Sequence, residues 1–351
     1  MDINLFDYEL PEELIAQSPL KDRDKCKLLV VDRNAQNYTD LHFFDILDFL
    51  KPGDVLVRNN TKVIPARLVG EKEATKGKVE LLLLKQLEGQ DNFECLVGGA
   101  RAVKEGSICV FGKGKLKAQC IKVLPEGIRH MHFIYEGIFL EVLEELGSMP
   151  LPPYIKKQCE DKDDYQTVYA KVPGSAAAPT AGFHFTEDLF NKCIEKGVEI
   201  IDVTLNIGLG TFRPVKVQDT DNHVMHEETY EISEYACDRL NLAKKEGRRI
   251  IAVGTTSIRT LESNYLKYGK FTPSKEATSI FIKPGYEFKA VDALITNFHL
   301  PKSTLIMLIS AFMGRQFTLK VYKHAVDEKY RFFSFGDAMF IYGDYTYGVD
   351  L

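Results

Sequence analysis

Arg249-Ile-Ile-Ala-Val253 runs without a break into Gly254-Thr-Thr-Ser-Ile-Arg259. A short apolar run rich in β-branched residues reads as a buried strand, and the glycine that closes it marks a turn. Thr256 to Tyr268 then carries a helical pattern. The same alternation extends in both directions. Upstream are a helix over Glu187 to Lys196 stopped by Gly197, a strand over Val198 to Ile207, and a helix over Ser233 to Glu246 capped by Ser233. Downstream are strands over Thr278 to Ile282 and Ala293 to Thr296, and helices over Ser303 to Phe312 and Thr318 to Lys329. A last strand lies within Phe332 to Tyr342. Strands alternating with helices predict an α/β fold, a mixed sheet with flanking helices.

The first sixty residues supply a short helix at Tyr8 to Ile15, strands at Lys27 to Asp32 and Asp54 to Val57, and a short helix from Phe43 closed by Pro52-Gly53. Between about Leu68 and Gly147 the texture changes. Val79 to Leu84, Phe93 to Val97, Ser107 to Phe111, Leu116 to Val123 and His130 to Tyr135 are short apolar runs, separated by turns rich in Gly, Lys, Asp and Pro. Such spacing predicts a small antiparallel β-barrel, with a short helix at Phe139 to Leu146 behind it. The expected organisation is an α/β catalytic domain over 1–67 and 148–351 that carries an inserted barrel over 68–147.

Composition narrows the function. Hydrophobic residues make up 45% and charged residues 27% of 351, which supports full cores in a soluble protein. The first residues lack the basic and apolar regions of a signal peptide, and no apolar run has membrane-spanning length. Seven cysteines without a C-x-x-C pair fit a reduced, cytoplasmic protein with no structural metal site. A net charge of −5 argues against a protein that coats nucleic acid, because that binding runs on phosphate neutralisation. From Leu96 to His130, however, seven basic residues stand against two acidic ones, a local patch that reads either as a solvated strand face or as an RNA contact.

Ligands of α/β sheets bind beyond the carboxyl ends of the strands, and the unusual residues gather in those loops. Ala178-Pro-Thr-Ala-Gly-Phe-His-Phe-Thr186 holds Thr180 and His184 and runs into a helix with Thr186 as cap and acid in its first turn. Gly208-Leu-Gly-Thr-Phe-Arg-Pro214 offers Gly208 and Gly210 for close backbone approach, Thr211, and Arg213 as a planar fork for carboxylate or phosphate. Gly254, Thr255 and Thr256 stand at a helix start, where backbone N–H groups can cradle an anion or a ribose, with Arg259 one turn on. Asn297-Phe-His-Leu-Pro-Lys-Ser-Thr304 brings His299 and Lys302. Phe335-Gly-Asp337 puts a carboxylate beside a glycine within the expected strand, and His226-Glu-Glu228 adds acid/base groups. Each loop by itself reads first as a structural, capped connection. Arg58-Asn-Asn-Thr-Lys-Val-Ile-Pro-Ala-Arg67 concentrates Arg58, Asn59, Asn60, Lys62 and Arg67 after a strand end, as a polar turn or an anion and base reader.

Taken together, the loops at 178–186, 208–214, 251–262, 296–304 and 330–338, with Asp54 to Arg67, resemble the S-adenosylmethionine:tRNA ribosyltransferase-isomerases of queuosine biosynthesis. The likeness spans the chain; one departure is Asn206, where many members carry histidine. The resemblance implies an α/β domain with a small β-barrel. It implies transfer of the ribosyl part of S-adenosylmethionine onto 7-aminomethyl-7-deazaguanine at the tRNA wobble position, giving epoxyqueuosine with loss of adenine and methionine. S-adenosylmethionine is then a cosubstrate, with no permanently bound cofactor, and the enzyme acts as a monomer on the tRNA anticodon region. The expected proton-transfer groups are His184 and Asp337, with His226 and His299 behind them. Thr180, Gly208, Gly210, Thr211, Arg213, Gly254, Thr255, Thr256 and Arg259 would bind the cosubstrate, Arg213 or Arg259 taking the methionine carboxylate. Arg58, Asn59, Asn60, Lys62, Arg67 and Lys302 would face tRNA.

Overall fold

A computed structural model describes residues 1–89, 91–99, 103–152, 154–156, 162–208 and 217–344. The chain divides into two compact units, one of Met1–Thr61, Pro153–Val172 and Ala178–Leu351, the other of Lys62–Pro152 and Pro173–Ala177. The fold is mixed α/β with a closed antiparallel barrel. Strands are numbered along the chain.

The first unit is built on a nine-stranded sheet. Its strands are β1 (Lys27–Asp32), β2 (Asn37–His42), β3 (Val55–Asn59), β12 (Glu199–Leu205), β13 (Glu228–Ile232), β14 (Ile250–Val253), β15 (Ser274–Thr278), β16 (Ala293–Asn297) and β17 (Ala338–Tyr342). The spatial order is β15-β13-β12-β3-β14-β16-β17-β1-β2. Strands β12, β3, β14 and β16 run parallel to one another; β17 is antiparallel to β16, and β1 is parallel to β17. Central strands β14 and β16 are buried at every position, as parallel strands covered on both faces must be. The covering helices are α2 (Glu187–Glu195), α3 (Glu234–Glu246), α4 (Thr255–Tyr268), α5 (Thr304–Met313) and α6 (Arg315–Asp327). Thr186 caps α2 by accepting from Leu189 N at 3.1 Å, and Ser233 caps α3 in the same way.

In the second unit β5 (Arg67–Lys72), β6 (Lys78–Gln86), β7 (Asn92–Gly98), β8 (Ile108–Phe111), β9 (Leu116–Val123) and β10 (Ile128–Tyr135) close in the order β10-β7-β6-β5-β8-β9. Its core of Leu68, Leu81, Leu83, Cys95, Phe111 and Phe133 includes Leu143 of α1 (Phe139–Leu146). Gly70 is required where β5 meets β8, since a Cβ there would lie 2.5 Å from the Phe111 ring. Strands β4 (Thr61–Val63) and β11 (Val172–Ser175) pair as a separate ribbon.

Three expectations need correction. The strand expected over Thr278 to Ile282 ends at Thr278, because the Thr278 hydroxyl accepts from Ile280 N at 3.1 Å and bends the chain out of the sheet. Asp337 lies just before β17 rather than within a strand. A tight turn precedes it, with Gly336 N donating to Phe333 O at 2.8 Å. Of Tyr8 to Ile15 only Glu12–Leu14 is helical, one 3₁₀ turn.

Candidate active site

Strand direction decides where the loops meet. The carboxyl ends of β3, β12, β14 and β16 and the amino ends of β17 and β1 fall on one edge of the sheet. There the chain has left each strand with backbone groups still to satisfy, so the edge is where a ligand can be met. Gly254, at φ +89°, makes the turn from β14 into α4, a backbone angle that side chains resist.

A cleft opens on this edge. Thr180, Gly254, Thr255, Thr256 and His299 line it, together with Asn297, Ser303, Phe333, Ser334 and Tyr154. The His299 Nε2 is 3.0 Å from Thr296 Oγ1, its backbone N–H donates to Tyr322 Oη, and its carbonyl accepts from Tyr8. Burial alone pushes its pKa down to about 3, so the imidazole is neutral. The Thr256 hydroxyl and the Asn297 carbonyl oxygen are buried without a hydrogen-bond partner among the described residues. Such atoms are satisfied by a ligand or water. Tyr154 and Phe333 stack at 4.7 Å and form an aromatic wall.

His184 sits behind this wall in a small cavity with Cys26, Arg23, Phe183 and Phe335. Cys26 Sγ is 3.2 Å from His184 Nδ1, and burial lowers the histidine pKa to about 4. Asn297 is near enough to oppose that shift. The geometry falls short of a hydrogen bond, however, since His184 Nε2 and Asn297 Oδ1 both lack partners among the described residues. Asp337 has a different task. Its carboxylate accepts from Lys27 N at 2.9 Å and Arg331 N at 2.7 Å, joining the start of β1 to the turn before β17. Burial raises its pKa against those two bonds.

A second, smaller cavity is lined by His226, Glu228 and Arg259 with Ile280, Ile282, Leu305 and Leu308. Arg259 and Glu228 form an ion pair there, each 4% exposed. Gly208 N donates to the other Glu228 oxygen at 3.1 Å. Gly210, Thr211 and Arg213 lie outside the described residues.

The residues expected to face tRNA are divided in their work. Arg58 pairs with Asp202 at 2.6 Å and lies over the rings of Tyr169 and Phe190. Asn59 is fully buried, its amide exchanging two bonds with the backbone of Leu205, and Asn60 accepts from Thr204. Lys62 and Arg67 are exposed in the second unit, Arg67 on Glu80; Lys302 is half-buried in the first, paired with Asp7. Much of the basic run is neutralised within the barrel unit. Lys115 pairs with Glu145 and Lys117 with Glu73, and Arg129 is buried on the carbonyls of Val103, Leu124 and Ile128.

Cys26, Tyr154 and Phe333 escaped the sequence reading. Their residue types are ordinary core types, and only their meeting at the sheet edge distinguishes them. A cleft with convergent hydroxyls, a neutral imidazole and an aromatic wall is suited to an enzyme acting on a small organic group. Residues 3–341 match the family described as queuosine biosynthesis protein. The chain is also similar to the crystal structure of the S-adenosylmethionine tRNA ribosyltransferase from Thermotoga maritima. Identity is 37% over 96% of this chain and 99% of that one, with a TM-score of 0.54. The chain belongs to the queuosine biosynthesis protein family, as its loop motifs led us to expect. Among the described residues no helix is long and apolar enough to cross a membrane.

Proposed function

We propose that this protein transfers and isomerises the ribosyl moiety of S-adenosylmethionine onto 7-aminomethyl-7-deazaguanine at the tRNA wobble position. The product is epoxyqueuosine-tRNA, released with adenine and methionine. The observation that carries the reading is the convergence of the family's loop motifs, through Thr180, Gly254 to Thr256, Asn297 to His299 and Phe333, on one cleft. The sulfonium acidifies the C5′ proton; a base removes it, adenine departs, the amine attacks C1′, and the epoxide closes as methionine leaves. Holding the sugar against the amine contributes as much as proton transfer, which typically supplies about 10²–10⁴-fold.

Thr180, Gly254, Thr255 and Thr256 hold the adenosyl part. Of the four proton-transfer candidates His299 lines the cleft and takes that role, while His226 faces the second cavity. His184 and Asp337 act by positioning, His184 through its packing on Cys26 and Phe43 and Asp337 through the turn before β17. Gly208, Gly210, Thr211 and Arg213 complete the cosubstrate site. Lys62, Arg67 and Lys302 contact the anticodon region; Arg58, Asn59 and Asn60 fix the strand ends beneath it. The protein acts as a monomer in the cytoplasm.

The test is mass spectrometry of tRNA incubated with the protein and S-adenosylmethionine labelled separately in its methyl and ribose carbons. Ribose label in the tRNA, with free adenine, is expected. Methyl label alone would make the protein a methyltransferase, and tRNA binding without adenine release would make it an RNA-binding module.

A further inference from the structure

Helix α4 serves both cavities. Thr255 and Thr256 in its first turn line the cleft, and Arg259, three and four residues on, lines the second cavity. Residues that far apart share a helix face. Helix α5 repeats the arrangement, with Leu305 lining both cavities and Leu308 the second. Leu305 is common to both linings, so the second cavity, here the side chamber, neighbours the cleft.

Inside the chamber the guanidinium of Arg259 is only half used. Its Nη1 donates to Glu228, whereas Nε and Nη2 are buried with no hydrogen-bond partner among the described residues. Those two N–H groups form one edge of the planar fork, the edge that takes a carboxylate with two parallel bonds. Charged donors buried without partners are costly to keep, so an edge left open in this way is suited to a ligand. Glu228 already balances the arginine, which favours a zwitterion over a phosphate dianion. The apolar residues around it, Ile280, Ile282 and Leu308, match a thioether chain.

We propose that the side chamber is an α-amino-acid subsite. It holds the methionyl end of the cosubstrate and then the departing methionine, with the carboxylate on the Nε/Nη2 edge of Arg259. The assignment rests on the S-adenosylmethionine reading above.

The experiment is calorimetric titration of the full chain, without tRNA, using free L-methionine and 3-(methylthio)propylamine, which keeps the thioether and amine but lacks the carboxylate. Methionine should bind, and the amine should bind at least tenfold more weakly. Arg259→Lys should weaken methionine at least tenfold and raise KM for S-adenosylmethionine. Ile280→Trp, which fills the chamber while leaving the ion pair in place, should do the same if the arginine variant does not fold. Equal binding of the two ligands, or unchanged methionine binding in the folded variants, overturns the subsite. Methionine binding by a protein that puts no ribose label into tRNA would overturn the reaction instead and leave the subsite standing.

Discussion

Cys26 Sγ lies 3.2 Å from His184 Nδ1, deep beneath the loop that carries the Ala178–Thr186 motif. Burial holds the thiol protonated, its pKa well above the ordinary range, and holds the imidazole neutral. A protonated thiol donates, so Nδ1 accepts and the ring hydrogen belongs on Nε2, toward Asn297; this tautomer is assigned from the partners. Asn297 in turn donates through Nδ2 to Phe333 O at 2.9 Å. The motif histidine thus stands beside Asn297 of the cleft lining without bonding to it.

Acid should unfold the protein through its histidines. His184 and His299 titrate near 4 and 3 when folded, against about 6.5 when unfolded. Between those values the unfolded chain binds more protons, so stability is full above pH 6.5 and is lost as pH falls toward 4. Each histidine costs up to about 3 kcal/mol over that window. The raised carboxyls of Asp337 and Glu262 work in the opposite direction. The measurement is therefore a difference: urea unfolding of wild type and His184→Asn from pH 7 to 4.5, with a flatter dependence in the variant. Parallel curves would refute it.

Asp337→Asn separates positioning from proton transfer. Both carboxylate oxygens accept backbone N–H groups, and an amide offers only one oxygen. The variant should lose about 1–3 kcal/mol of stability, the cost of one buried donor left unpaired. Turnover per folded molecule should fall by less than tenfold. A loss of a hundredfold or more with an unchanged melting temperature would return Asp337 to the proton-transfer groups.

Some of this was legible in the sequence, for identifiable reasons. Strands such as β14 and β16 announce themselves because full burial demands unbroken apolar runs. The caps at Thr186 and Ser233 were legible because capping is chemistry between neighbours. β2 was not, since its edge position leaves Asn37–His42 exposed or half-buried without an apolar run. Nor was the division of labour among Arg58, Asn59 and Asn60. Their partners Asp202, Leu205 and Thr204 stand some 140 residues away, on a strand that only the parallel register brings alongside. The gathering of the site loops could be foreseen, but not which side chain of each loop turns inward.

Gly182 is held by contact. A Cβ there would sit 1.9 Å from Tyr169 Oη and 2.9 Å from Thr167 Cγ2. Gly182→Ala should cost about 1–3 kcal/mol, the usual range for overpacking. The Tyr169 hydroxyl is itself buried without a partner among the described residues, so Tyr169→Phe alone should be neutral or stabilising. The double variant should then recover part of the glycine loss, because the nearest clashing atom is gone. Additive losses in thermal unfolding would show that the Tyr169 ring and the Thr167 methyl, not the tyrosine hydroxyl, set the limit.

Phe333 combines a strained backbone with a place on the cleft wall. Its φ of 69° is left-handed, a conformation that costs a bulky residue about 1–2 kcal/mol. Asn297 and Gly336 hold it there by donating to its carbonyl, and the ring stacks on Tyr154. Two truncations isolate the terms. Phe333→Ala removes the ring and keeps the strain; Phe333→Gly removes both. The glycine variant should therefore be the more stable by about 1 kcal/mol, the reverse of the order expected where φ is negative. Both should raise KM for S-adenosylmethionine equally, since both lose the same ring from the cleft. Urea unfolding and steady-state kinetics on the pair decide it. An alanine variant at least as stable as the glycine would mean that the left-handed turn carries no strain, and unequal KM values would mean that the backbone, rather than the ring, shapes the cleft.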